Sequence, residues 1–302
     1  MKDFCSAIAC IRKKDLIINR EYEALLRDIG FDGFESVWHH PAGETVKSIA
    51  PRSVVRFSVI HRDVSRSLFL KRHNLEFTGF RGLLGLLLNR KGATQGTLEF
   101  WNICAFRKNG LQTVSPVAAG EKFYRIFWAQ SFLITEDFYP YVSLEYLLKS
   151  NPGFFSGREG EDRKKYLIKE IGGLARKMHN KGFNHQDFNA THILLYYPRD
   201  SDIPQIALFD MQRVEKNIFF RFRWKIKSLA RLNYSLPAEI FSEQDRIDIL
   251  LFYNCKSHPD FTDRVQWLWI RKKTARIKRH TEKHHIRKNK DDKIDDVSHS
   301  CL

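Results

Sequence analysis

Between Met178 and Leu195 the chain reads MHNKGFNHQDFNATHILL, and at Ile206 to Asp210 it reads IALFD. The first stretch gathers three histidines, three asparagines and one aspartate directly before an apolar run. Two further residues complete a set that could do chemistry. Lys71 follows the apolar run SLFL, and Glu99 lies within ATQGTLEFWNICAFRK. Phosphoryl transfer needs few parts: a lysine on the nucleotide phosphates, a helix glutamate that fixes it, a carboxylate that orients the acceptor hydroxyl, and a second carboxylate for the metal. Lys71, Glu99, Asp187 and Asp210 are those residue types. Asp210 ends an otherwise apolar strand pattern, where a carboxylate without a cation partner is costly to bury.

The surrounding sequence predicts the elements that must hold these groups. Asn19 to Ile29 reads as a short helix. Ser53 to Ile60 and Ser67 to Lys71 are β-rich runs around the polar turn HRDVSR, the pattern of an antiparallel hairpin. The tripeptide His61-Arg62-Asp63 then falls in a hairpin turn, where a solvated turn is expected and no catalytic base. A helix is predicted from about Ala93 to Lys108, stopped by Gly110. Val114 to Ala118 and Ser131 to Thr135 are strand candidates, the second apolar enough to be central. Leu144 to Lys149 and Arg163 to Asn180 read as helices, the latter with apolar Leu167, Ile171, Leu174 and Met178 at spacings of four, three and four. Ile193 to Tyr196 and Ile206 to Phe209 form a strand pair, followed mostly by helix. Strands first and helices second predict an α+β architecture with a sheet-rich N-terminal lobe.

In order and type, the four charged residues match the kinase-like fold, and the local pattern narrows the match. His179, Gly182, His185, Asp187, His192, Leu194 and Leu195 form H-x-x-G-x-x-H-x-D-x4-H-x-L-L, which resembles the catalytic loop of the Kdo/WaaP-type lipopolysaccharide kinases. The run from Gly110 to Glu121, SFLITE at Ser131 to Glu136, and FDMQRV at Phe209 to Val214 resemble further blocks of that family in the same order. The resemblance covers roughly residues 53–255. It implies a two-lobed, protein-kinase-like fold, with a β-rich N-lobe over 1–135 and a helical C-lobe over 136–262; the charged composition of 263–302 leads to the expectation of a basic, flexible tail there. It also implies ATP and Mg²⁺ as cofactors and a sugar hydroxyl of the lipopolysaccharide inner core, on heptose or Kdo, as acceptor. Asp187 would orient or deprotonate that hydroxyl, Lys71 would contact the nucleotide phosphates with Glu99 as ion-pair partner, and Asp210 would bind Mg²⁺. Glu136 would begin the hinge that meets adenine. His192 stands where protein kinases place a metal-binding Asn, although Mg²⁺ prefers oxygen ligands. His185 is expected to brace the loop, and His179 to be only a helix-end residue. The chain departs from kinase patterns in three places. Ile49 to Arg52 (IAPR) lacks the glycines of a phosphate loop, Gln186 replaces an arginine, and Met211 replaces a leucine.

The 302 residues carry a formal net charge of +16. Arg271 to Lys290 holds ten Lys or Arg against the single acid Glu282, so the charge is concentrated there. Such a bias implies an anionic partner. With no aromatic residue after Trp269 to stack on bases, nucleic acid is not expected, and an anionic membrane or glycolipid surface is favoured. Deleting Lys272 onward is therefore expected to weaken vesicle binding and spare turnover on a soluble acceptor. The five cysteines form no CxxC pair, which fits a reducing cytosol. The longest apolar run, Leu83 to Leu88, falls far short of the roughly 20 residues of a spanning helix. A cytoplasmic protein lying peripherally at the inner membrane face is the expectation. The alternatives are a kinase of another acceptor and a catalytically inactive kinase-like module anchored by its tail.

Overall fold

The structure is a computed structural model that describes residues 8–13, 15–41, 43–77, 94–125, 128–198, 203–216 and 221–299. The Leu83–Leu88 run, Cys5 and Cys301 lie outside them. The chain forms two units. The first comprises Met1–Val142 with Leu194–Tyr196 and Ile206–Val214; the second comprises Ser143–Ile193, Tyr197–Gln205 and Glu215–Leu302.

The first unit begins with β1 (Cys10–Lys13) and β2 (Leu16–Asn19), a 3₁₀ turn at Arg20–Tyr22, and two short helices, α1 (Glu23–Asp28) and α2 (Phe34–Trp38). The helix expected over Asn19 to Ile29 is thus present as a 3₁₀ turn running directly into α1, over residues 20–28. Leu16, Ile17 and Ile18 are buried on consecutive residues, which suits a strand covered on both faces. Then come β3 (Glu44–Ile49), β4 (Arg52–His61), β5 (Val64–Phe77), α3 (Gln95–Lys108), β6 (Pro116–Arg125) and β7 (Trp128–Glu136). The strands make one antiparallel sheet in the order β1-β2-β6-β7-β5-β4-β3. As the sequence predicts, SFLIT is central: Phe132, Leu133 and Ile134 are fully buried in β7, the fourth of seven strands.

The hairpin of β4 and β5 closes where predicted. His61 pairs with Val64, and Arg62 and Asp63 between them have φ of 50° and 61°. Two left-handed residues give the turn whose twist matches that of the flanking strands. Both are exposed, so the turn is solvated, while His61 ends β4 with its ring 3.1 Å from Asp28. Along β5, Leu68 and Leu70 are buried, and Phe69 and Lys71 share the other face.

Three anchors set α3 against this sheet. The hydroxyls of Thr94 and Thr97 donate to Glu121 Oε2 at 2.9 and 2.8 Å, and the Gly96 N–H donates to Ser131 Oγ at 3.1 Å. Gly96 is required by proximity, since a Cβ there would lie 2.6 Å from the Phe132 carbonyl oxygen. The buried face runs Gly96, Glu99, Phe100, Ile103, Phe106, a helical spacing that carries Glu99 inward with the core. Gly110, at φ 68°, ends the element.

The second unit follows β8 (Val142–Ser143) and opens with α4 (Leu144–Ser150) and α5 (Gly157–Asn180), which starts six residues earlier than the apolar spacing indicates. Charged GREGED supplies that first turn and a half without any buried apolar stripe, so periodicity could not mark it. Leu167, Ile168, Ile171, Ala175 and Met178 form the buried face of α5. Next come β9 (Phe183–His185) and the pair β10 (Ile193–Tyr196) and β11 (Gln205–Leu208). In the first unit, Leu208 N–H donates to the Gln112 carbonyl at 3.0 Å. After β12 (Val214–Lys216) the chain is helical: α6 (Arg221–Ser235), α7 (Glu243–Asn254) and α8 (Phe261–His299). Gly172 lets α5 approach α7, because a Cβ there would stand 2.7 Å from the Ile249 carbonyl oxygen.

The segment expected to be a flexible tail is helical from Phe261 to His299. Trp267 and Ile270 are buried, and Trp267 Nε1 donates to Glu243 Oε1 at 3.1 Å. Asn233 Nδ2 of α6 donates to Thr274 Oγ1 at 3.0 Å, which carries the packing of α8 past the last aromatic. No helix among the described residues is long and apolar enough to cross a membrane.

Candidate active site

In the first unit, Lys71 Nζ lies 2.6 Å from Glu99 Oε1 and 3.7 Å from Asp210 Oδ1. The sequence separates these three residues widely; the β5 strand, the α3 helix and the end of β11 bring them together. Glu99 is 1% exposed at its side chain, and burial pushes its carboxyl up even though Lys71 opposes the shift. The lysine compensates a buried carboxylate, and the carboxylate fixes the lysine. Asp210, two residues past the end of β11, sits at φ 62°, a left-handed conformation that costs a residue with a Cβ some free energy. Its neighbours hold it. Asn102 Nδ2 of α3 donates to the Met211 carbonyl at 2.8 Å, and Gln212 Nε2 donates to Gln95 Oε1 at 2.9 Å.

Sequence reasoning missed Arg52. Its guanidinium donates to Gln212 Oε1 at 3.1 Å and stands 3.9 Å from Asp210 Oδ1. It sits in the glycine-free IAPR segment, so a cation stands near the place where glycine N–H groups are missing. His73, paired in register with Arg52, is buried, and burial together with Arg52 and Lys71 pushes it down to about 4. Three half-buried aromatic rings also escaped notice: Phe138 stacks on Phe69 at 5.8 Å and meets Phe209 at 5.6 Å. The spacing of Phe69 two residues before Lys71 was the available signal. Glu136 donates its N–H to the Ser115 carbonyl at 2.9 Å, and its carboxylate accepts from Arg66 at 2.5 Å. Burial and the nearby Glu136 carboxylate push the Tyr22 hydroxyl up, and the Glu136 side chain lines a cavity of about 550 Å³ in the first unit with Arg66 and Arg107. Its carboxylate is therefore engaged in an ion pair.

In the second unit, Asp187 follows β9. Its N–H donates to His185 Nδ1 at 3.2 Å, and Arg231 of α6 donates to its Oδ1 at 2.8 Å. His185 is fully buried, with its ring centre 5.7 Å from that of His192. His192 N–H donates to the Asn189 carbonyl at 3.1 Å, and Thr191 Oγ1 donates to Glu145 Oε2 at 2.9 Å. A hydrogen-bonded chain braces the loop from behind. Ser228 Oγ donates to Asn184 Oδ1 at 3.0 Å, Asn184 Nδ2 donates to Glu215 Oε2 at 3.0 Å, and the Gln186 amide donates to Glu215. His179, expected to be only a helix-end residue, belongs to this brace. It is fully buried, 2.9 Å from the Tyr253 hydroxyl and 3.3 Å from Ser228 Oγ, and burial pushes it down to about 4.

Asp187 and Arg231 line a cavity of about 320 Å³ in this unit, together with Glu145, Thr191, Tyr234 and Ile277. A wall of carboxylate, guanidinium and hydroxyl groups suits a polyol, whose hydroxyls need donors and acceptors in comparable number. Arg231 gave no signal in the sequence because its role depends on α6 packing beside the loop. Among the described residues no three His, Cys, Asp or Glu side chains converge as a metal cluster. Mg²⁺ does not require one, since it binds through one or two carboxylates and takes its other oxygens from phosphate and water. A partly exposed carboxylate, as that of Asp210 is, fits that need; the imidazole of His192 does not.

The sequence matches the lipopolysaccharide kinase (Kdo/WaaP) family over residues 35–253. It is 30% identical over 210 residues to the lipopolysaccharide core heptose(I) kinase WaaP of Escherichia coli, covering 68% of this chain and 75% of the relative. It is 27% identical over 228 residues to the enzyme of the same name from Pseudomonas aeruginosa, covering 74% and 81%. A solved structure of WaaP in complex with acyl carrier protein superposes with a TM-score of 0.64 at 24% identity, over 88% of this chain and 99% of that one. That likeness shows a shared fold. With more than two thirds of its length matched, the chain belongs to the lipopolysaccharide kinase (Kdo/WaaP) family.

Proposed function

We propose that the protein transfers the γ-phosphoryl group of ATP to a sugar hydroxyl of the lipopolysaccharide inner core, on heptose or Kdo. The observation that carries this reading is the Lys71–Glu99–Asp210 cluster, with Lys71 Nζ at 2.6 and 3.7 Å from the two carboxylates. Lys71 holds the nucleotide phosphates, Glu99 keeps the ammonium in place, and Arg52 supplies a second cation where loop glycines are absent. Phe69, Phe138 and Phe209 offer ring faces to adenine beside the Glu136 hinge. Asp210 would hold Mg²⁺, which would supply positive charge against that of the phosphates. Asp187 accepts the proton of the sugar hydroxyl as its oxygen bonds to the γ-phosphorus; the bond to the bridging oxygen breaks, and ADP leaves. Arg231 fixes the carboxylate of Asp187 for that task. His192 supports the loop from the second unit. Positioning and charge neutralisation supply most of the rate.

The exposed cations of α8 support a peripheral position on an anionic membrane surface, at the cytoplasmic face of the inner membrane. The test is incubation with labelled ATP and deacylated core oligosaccharide, beside Asp187→Ala. Label in the glycan that disappears with the substitution supports the proposal. Label that survives it sinks the assignment of Asp187. Absence of transfer to any glycan points to another acceptor or to an inactive module.

A further inference from the structure

The second unit holds a concentration of positive charge that the transfer chemistry above does not use. On α6, Arg223, Lys227 and Arg231 recur every four residues and so form one stripe along the helix. On α8, Lys273 and Arg276 lie within one turn of Ile277, which lines the cavity beside Asp187. The two helices are fastened at this level. Thr274 Oγ1, between Lys273 and Arg276 in sequence, lies 3.2 Å from the Ala230 carbonyl and 3.0 Å from Asn233 Nδ2. Arg231 is committed to Asp187 at 2.8 Å. Among the described residues, no carboxylate forms an ion pair with Arg223, Lys227, Lys273 or Arg276. Burial pushes the Lys273 ammonium down, and Arg276, Lys227, Arg231 and Arg223 all push it the same way. Four cations facing one another without an acid is an unfavourable arrangement for a protein to keep by itself. An anion bound there relieves it.

We infer that Arg223, Lys227, Lys273 and Arg276 form an anion-binding subsite next to the acceptor cavity, one that reads acidic groups carried by the glycan beside the sugar to be phosphorylated. The inference rests on the reading of Asp187 as the residue that meets the acceptor hydroxyl. Cavity and subsite divide the work. The cavity, lined by Glu145, Thr191 and Tyr234, takes a neutral polyol ring, and the cations take a carboxylate or phosphate attached to its neighbour. Guanidinium and ammonium groups bind both anions through charge-assisted hydrogen bonds. A neutral saccharide presenting the same hydroxyl then lacks half of its attachment. The subsite selects the acceptor by KM and leaves the chemical step to Asp187.

Three soluble acceptors test this on the full chain: deacylated core oligosaccharide, the same glycan with its carboxyl groups reduced to alcohols, and the same glycan after phosphatase treatment. The paired variants are Lys227→Gln with Lys273→Gln, and Arg223→Gln with Arg276→Gln. For the untreated glycan, each pair is expected to raise KM at least about tenfold, the scale of one lost charge-assisted hydrogen bond. The kcat and the KM for ATP stay within about twofold, which also reports intact folding. At least one of the two neutralised glycans binds the unsubstituted protein correspondingly worse, and the variants barely worsen it further. Which one does so identifies carboxylate or phosphate as the group read. An unchanged KM in both variants overturns the subsite, and so does equal weakening toward all three glycans. Loss of binding to anionic vesicles with an unchanged KM assigns the patch to a membrane surface instead. If the unsubstituted protein phosphorylates none of the glycans, the proposed function fails, and calorimetric binding decides the subsite separately. Binding of the untreated glycan that the variants abolish upholds it; no binding refutes it.

Discussion

At the scale of single residues, the site depends on charges that cannot be removed one at a time without cost. Glu99 is buried to 1% exposure and has Lys71 as its counter-ion at 2.6 Å. Lys71→Met is expected to abolish transfer and also to destabilise the protein by ~3–5 kcal/mol, the cost of leaving a buried charge unpaired. Adding Glu99→Gln restores most of that stability but none of the activity, a combination that denaturant titration and turnover separate. Asp187→Asn leaves the geometry around Arg231 nearly unchanged and is expected to lower kcat by ~10²–10⁴ without altering the KM for ATP. Single-turnover kinetics with labelled ATP reads that loss. The two buried histidines predict the pH dependence of stability. His179 and His73 are held near 4, below the ordinary 6.5, chiefly by burial, with Lys225 acting further on the first and Arg52 and Lys71 on the second. Their neutral forms are the native ones, and the unfolded chain binds protons first as pH falls. Stability from this source is complete above about pH 6.5 and declines as pH drops toward 4. His179→Gln is expected to flatten the fall measured by thermal unfolding between those values.

At the scale of elements, α3 is a machine part whose position is set by backbone proximity. Gly96 approaches the Phe132 carbonyl so closely that a Cβ would sit 2.6 Å away. Gly96→Ala is expected to cost ~1–3 kcal/mol and to lower kcat disproportionately, because the helix that shifts to admit a methyl group carries Glu99. A thermal melt compared with turnover distinguishes this from plain destabilisation. The hairpin, the central strand and α3 were legible in the sequence because each has a local cause: a polar turn, an apolar run, a glycine stop. The strands β1 to β3 were not. LIIN in β2 is four residues long, and ETVKSI in β3 is exposed throughout, so neither has the contrast between faces that a pattern reads. The start of α5 was hidden for the same reason.

At the scale of the whole molecule, the net charge of +16 has a structural address. Charge alone suggested that residues after Trp269 form a separable tail. Thr274 bonds to α6 and Ile277 lines the cavity by Asp187, so the first turns beyond Trp269 are part of the second unit. Deletion of Lys272 onward is therefore expected to raise the KM for a soluble acceptor at least about tenfold, contrary to what the sequence indicated. A deletion starting after Lys283 spares that KM and affects vesicle binding alone, most clearly at low salt, where unscreened charges act furthest. Steady-state kinetics with a deacylated acceptor and flotation on anionic vesicles check both.

The four charged residues, their order and the α+β class could be read along the chain, because side-chain chemistry and local periodicity are written there, and the motif blocks around them carried the resemblance to the family. Only the tertiary structure decided who meets whom. Arg231 on Asp187, Arg52 near Asp210, His179 inside the brace and the four cations of α6 and α8 are contacts between segments far apart in sequence. They arise from helix and strand packing, which no local pattern records.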